Sequence, residues 1–121
     1  MMYDDAQAWN DVNEQFPSMT IYYIYILRKG SLWTEVETPE LDALQAAHLA
    51  NMRRLADLGK LVINGPLLDS FAMSGELRGI GVLKTSTFEE AESLISTDPM
   101  VKAGHLAFEL HTWMVDKNIL P

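Results

Sequence analysis

The chain contains no cysteine, which removes disulfides, a thiolate nucleophile and every Cys-ligated metal site and leaves the redox compartment open. It is also short of positive charge: 9 Lys and Arg stand against 17 Asp and Glu, a formal net charge of −8. The basic residues are scattered, adjacent only at Arg28-Lys29 and Arg53-Arg54, so a polyphosphate backbone meets net repulsion and no nucleic-acid partner is expected. No apolar run approaches the roughly 20 residues that span a bilayer, so no membrane segment is expected. The opening stretch MMYDDAQAWNDVNEQF lacks the basic start and apolar centre of a secretory signal, which leaves the cytoplasm as the default location.

What is present suits one compact globular domain: 121 residues, 48% of them hydrophobic and 21% charged. Trp9, Val12 and Phe16 recur at helical spacing after Asp4 and Asp5 and before Pro17, which predicts a short helix in an N-terminal extension over residues 1–19. The stretch TIYYIYIL, residues 20–27, is β-branched and aromatic throughout and predicts a strand. Ile21, Tyr23, Tyr25 and Leu27 alternate with Tyr22, Ile24 and Ile26, so neither face is made for water and the strand is central.

Thr38 is placed to cap a helix with Pro39 at its first position, and Gly59 to stop it. KLVINGPL and LRGIGVLK then predict two strands of a hairpin joined by the polar loop DSFAMSGE. Ser86 with Glu89 is a capping-box signature for a second long helix that carries Phe88, Ala91, Leu94 and Ile95 inward. Asp98-Pro99 predicts a short restart with Asp98 as N-cap, and HLAFELHTWMV a fourth strand.

The order β-α-β-β-α-β is that of an α+β ferredoxin-like sandwich, an antiparallel sheet with its helices on one face, over residues 20–116, followed by a tail at 117–121. The bare sheet face is apolar and needs a cover. A second copy of the same sheet is the simplest one, so a homodimer or higher homo-oligomer is expected.

Chemistry has few carriers. His105 and His111 share a strand face but stand about 20 Å apart, too far to hold one ion together, and no metal is expected. RGIGV has two glycines inside a predicted strand and lacks the third that opens a helix, so no dinucleotide cofactor is expected. Gly79 and Gly81 hollow one sheet face, making either a notch for a neighbouring ring or the floor of a ligand site. His48 lies on the apolar side of the first long helix with Leu41, Leu44, Met52 and Leu55. A histidine there is either a hydrogen-bonded packing residue or an acid-base, depending on its partner.

HLANMRRLADLGKLVINGPL together with FEEAESLISTDPMVKAGHL resembles the YCII-related domain family, over about Ile21 to Val115. The family pattern is a His-Leu on the first helix, a Gly-Pro after the second strand, and an Asp-Pro followed by an Ala-Gly before the last strand. The resemblance implies a dimeric α/β barrel, an active-site pair at His48 and Asp98, a site including Gly65 and Pro66, and small-molecule chemistry such as dehydrochlorinase-type elimination from a hydroxylated ring. Gln45 stands where many relatives have Arg, and Met100 where many have Tyr.

Together these point to a cofactor-free lyase or isomerase that binds a small hydroxy-aromatic or lactone-like molecule. Asp98 would orient His48 for proton transfer, and Tyr23, Tyr25, Gly79 and Gly81 would wall the pocket. The alternative is a non-catalytic ligand-binding or interaction module in which His48 and Asp98 only staple the fold.

Overall fold

The structure, a computed structural model, describes residues 4–68 and 75–120. The expected loop over 69–76 therefore lies mostly outside the described residues. The chain runs α1 (Asp5–Gln15), β1 (Met19–Lys29), α2 (Pro39–Asp57), β2 (Leu61–Pro66), β3 (Leu77–Leu83), α3 (Phe88–Ile95), α4 (Pro99–Lys102) and β4 (Leu106–Asp116). The four strands form one sheet in the order β2-β3-β1-β4, with every neighbouring pair antiparallel. This is the ferredoxin-like arrangement, with an added N-terminal helix.

β1 occupies a central position because it can bury both faces. Its pairings Tyr23↔Leu83, Tyr25↔Gly81 and Leu27↔Gly79 put these residues on the helix-covered side. Ile21, Tyr23, Tyr25 and Leu27 are all buried there, with Leu55, Leu83, Ala91 and Ile95 from the surrounding elements. On the opposite side, Tyr22, Ile24 and Ile26 lie beside Trp113, Val82 and Ile80. Among the described residues no helix covers that face, which leaves Trp113 46% and Ile63 58% exposed.

Local chemistry sets the helix ends. Thr38 Oγ1 accepts from Leu41 N–H at 3.1 Å, Pro39 is the first helical residue, and Gly59 at φ +75° takes the left-handed conformation that ends α2. For α3 the expected cap at Ser86 is displaced by one residue. Thr87 Oγ1 accepts from Glu90 N–H at 3.0 Å, while Glu90 Oε1 accepts from Ser86 N–H. The cap moves because the pair Thr87/Glu90 lies beside Ser86/Glu89 in sequence, and Glu90 reaches the N–H of Ser86, the residue before the cap, rather than that of Thr87 itself.

The N-terminal helix docks on this same chain, against β1, through Ala8, Trp9 and Val12. Phe16, expected in that stripe, is instead the C-cap and 45% exposed, since helical geometry ends before it can turn inward. Asp5 joins α1 to the domain. Its Oδ1 accepts the Tyr23 hydroxyl at 2.6 Å and its Oδ2 accepts Phe88 N–H at 3.1 Å, at the first turn of α3. Among the described residues, no helix is long and apolar enough to cross a membrane.

Candidate active site

His48 projects from α2 on the stripe shared by Leu41, Leu44, Met52 and Leu55, as the spacing of three and four residues requires. Its partner arrives from the α3–α4 connection. Asp98 Oδ2 lies 2.7 Å from His48 Nδ1, while Asp98 Oδ1 accepts Met100 N–H at 2.9 Å and so caps α4. Thus both uses of the Asp-Pro motif occur at once, one per carboxylate oxygen. Because an ionised carboxylate only accepts hydrogen bonds, the short contact assigns the ring proton to Nδ1 and leaves Nε2 as the outward-facing nitrogen.

The seam around this pair is fastened independently. Asn51 Nδ2–H donates to Thr97 Oγ1 at 3.1 Å, and that hydroxyl donates to Leu94 O at 2.6 Å. These bonds hold α2 to the same connection one helical turn from His48, so the imidazole has a fixed platform. The Asp98 side chain has no exposure, whereas that of His48 keeps 14%.

That exposure faces a cavity of about 390 Å³ between α2 and the sheet, within the range of small-molecule sites. Tyr25, Gly65, Pro66 and Gly79 line it with His48. Two expected wall residues do not. Tyr23 is fully buried with its hydroxyl turned to α1, where it donates to Asp5 and accepts Trp9 Nε1–H at 3.0 Å, and its ring meets Phe88 edge-on. Gly81 lies beneath the Tyr25 ring: a Cβ there would fall 2.3 Å from Tyr25 Cζ and Oη. It is the ring notch rather than the floor, and it lets Tyr25 lie flat enough to reach Met52, whose Sδ accepts the hydroxyl at 3.7 Å. Burial pushes the Tyr25 phenol well above its ordinary value and the charge of Asp98 adds to this, so it remains a neutral donor.

Among the lining residues that escaped the sequence argument, three carry polar side-chain atoms: Trp33, Asn64 and Arg78. Strict alternation would send Arg78 to the outer face with Ile80. However, the β1–β3 register slips between Leu27↔Gly79 and Arg28↔Leu77, which leaves Arg78 as the extra residue of a bulge. The bulge re-aims its side chain. The guanidinium lies 4.5 Å from the centre of the Trp33 ring, and Nη1 donates to Gly75 O at 3.2 Å. An arginine beside two strand glycines was the available signal, but a bulge cannot be read from residue types alone.

The remaining histidines stay apart from the cavity. His111 is exposed on the open sheet face, 3.6 Å from Glu109, and His105 immediately precedes β4. Among the described residues, no cluster of three His, Asp or Glu is arranged to hold a metal.

Comparison with known proteins follows the same outline. The model of the YCII-related domain matches residues 19–113. Among solved structures, the chain is similar to 5-chloro-2-hydroxyhydroquinone dehydrochlorinase from Burkholderia phenoliruptrix AC1100, determined in complex with 2,5-dihydroxybenzoquinone. The identity is 23%, the match covers 78% of this chain and 93% of that one, and the TM-score is 0.50, a likeness of fold. No curated protein matches the chain.

Proposed function

The chain belongs to the YCII-related domain family, and from that premise we propose that it is a cofactor-independent small-molecule enzyme of the lyase or isomerase kind. The observation that carries this reading is a buried Asp98 holding a partly exposed His48 at the wall of a mostly apolar cavity. His48 Nε2 takes a proton from a carbon or hydroxyl of the bound molecule. The electron pair left behind then either shifts a double bond, with the proton returned elsewhere, or expels a leaving group such as chloride. Asp98 fixes the tautomer and stabilises the imidazolium that forms. A positioned acid-base of this type contributes about 10²- to 10⁴-fold in rate, sufficient for an elimination or isomerisation at an already acidified position.

The walls favour a hydroxylated ring. Tyr25 offers a neutral hydroxyl whose partner in the chain is a thioether, a weak acceptor readily exchanged for a ligand oxygen. The dehydrochlorinase of similar fold acts on such a ring. The working form is a homodimer that covers the open sheet face around Trp113, Ile80 and Ile63.

A second reading treats the pair as a staple. It is favoured by one observation, that Asp98 also caps α4. Both are tested by thermal shift and by deuterium incorporation, with hydroxy-aromatics including 2,5-dihydroxybenzoquinone as ligands. The enzyme reading expects a ligand that stabilises the wild type, exchanges protons in D2O only with the wild type, and loses both effects in His48→Ala. The staple reading expects His48→Ala to cost about 1–3 kcal/mol with no ligand effect in either protein.

A further inference from the structure

The cavity wall is electrically one-sided. Among the described residues, Arg78 is the only formally charged side chain lining it and no Asp or Glu does so. This is notable in a chain with 17 acidic residues and a net charge of −8. Asp98, the carboxylate behind the lining His48, has no exposed side-chain surface and is already engaged by His48 and by Met100 N–H. Lys29 Nζ lies 5.6 Å from the centre of the same Trp33 ring that carries the Arg78 guanidinium at 4.5 Å, and Lys29, like Arg78, has further partners within the chain.

The guanidinium is also held in place. Its plane is anchored by the Trp33 ring and by the bond to Gly75 O, and the bulge at Arg78 fixes where the side chain leaves the strand. Arg78 has partners within the chain, but a guanidinium carries five N–H donors in a rigid fork, enough to keep those partners and still grip an oxyanion. The rest of the wall is flat and apolar, with Tyr25, Leu27, Met52 and Pro66, while Gln45 and Asn64 provide neutral polar groups.

We propose that the cavity selects a planar ring bearing an oxyanion, a carboxylate or an ionised phenol, and that Arg78, seated on Trp33, is the residue that determines this specificity. The assignment rests on the cavity being the working site. It does not depend on His48 acting as a base. Arg78 grips the anionic substituent, the apolar walls hold the ring, and the reacting position is thereby presented to the α2 side.

The test is calorimetric titration of the full chain with matched pairs that differ in charge: benzoate and 4-hydroxybenzoate against their amides, and 2,4-dinitrophenolate against 2,4-dinitroanisole. Expected is a preference of about tenfold or more for the anion in at least one pair, weakening as salt is raised. The first pairs report a carboxylate and the last a phenolate. Arg78→Gln should abolish the preference and Arg78→Lys retain part of it, with melting curves in the absence of ligand confirming that both variants fold. A failure of the acid-base proposal alone leaves a distinct signature in the wild type: charge-selective binding without proton exchange. The inference is overturned if no anion binds at millimolar concentration, if neutral and anionic members bind equally, or if Arg78→Gln keeps the wild-type preference.

Discussion

Tyr23 and Tyr25 stand two residues apart on one face of β1, yet one ring is sealed between α1 and α3 while the other borders an open cavity. At the Tyr23 end every polar atom has a strong partner: the phenol gives its proton to Asp5 and accepts from the indole of Trp9, and Asp5 also receives Phe88 N–H. At the Tyr25 end the hydroxyl rests on a thioether, His48 turns one nitrogen toward space, and a bulge delivers an arginine. The extra helix therefore fills the sheet at one end and leaves the other hollow. The contrast teaches where to look for function, because satisfied polar groups stabilise a fold, whereas groups held in place but incompletely used are available to a ligand.

The largest effect is expected at the boundary of the hollow end. Asp98→Ala removes the acceptor of both His48 and Met100 N–H, and should cost about 3 kcal/mol or more in denaturant unfolding as well as any proton-exchange activity. If it unfolds like the wild type, the carboxylate is not the joint between α2 and α4. Next comes Gly81→Ala, whose new methyl would meet the Tyr25 ring at 2.3 Å. It should cost about 1–3 kcal/mol and alter ligand affinity through the displaced ring, and an unchanged melting temperature would contradict the notch.

The comparison is sharpened most directly by paired hydroxyl deletions. Tyr23→Phe leaves Trp9 Nε1–H without an acceptor and Asp5 short of a donor, and should lose about 1–2 kcal/mol; Tyr25→Phe loses only a bond to sulfur and should lose less than about 0.5 kcal/mol. Ligand binding should respond in the opposite order, and equal responses in both assays would erase the distinction between the ends. The last effect, absent at neutral pH, is alkaline. Burial raises both phenols above the ordinary value of 10.0, with Asp5 adding to the rise at Tyr23 and Asp98 at Tyr25. The folded state thus binds the proton more tightly than the unfolded one. Stability is full below pH 10 and falls as pH rises past it, by about 1.4 kcal/mol per pH unit for each tyrosine. Either Phe variant should remove its share of that slope.

Much of this organisation was legible in residue types. TIYYIYIL could only be a central strand with two apolar faces, Thr38-Pro39 and Gly59 bracketed α2, and the helical spacing placed His48 on the inward side. Asp98-Pro99 marked a cap. The misplaced features have specific causes. Ser86 and Thr87 head adjacent, overlapping capping signatures, so spacing alone left the start of α3 ambiguous by one residue. Tyr23 and Tyr25 are indistinguishable in an alternating strand, and only the docking of α1 separates their environments. Trp33 comes from a loop without periodicity, and Arg78 owes its direction to a register slip against β1.

The sequence by itself determined the elements, their order, the sheet's two apolar faces and the candidate histidine, because periodicity and capping are local and repeat the geometry of helix and strand. Tertiary structure decided what no local rule contains. It brought Asp98 to His48 across fifty residues of chain, assigned one tyrosine to the core and the other to the cavity, and turned the charge of Arg78 inward. Each of these depends on where separate elements meet, and a side chain's distant neighbours are fixed only when the whole chain packs.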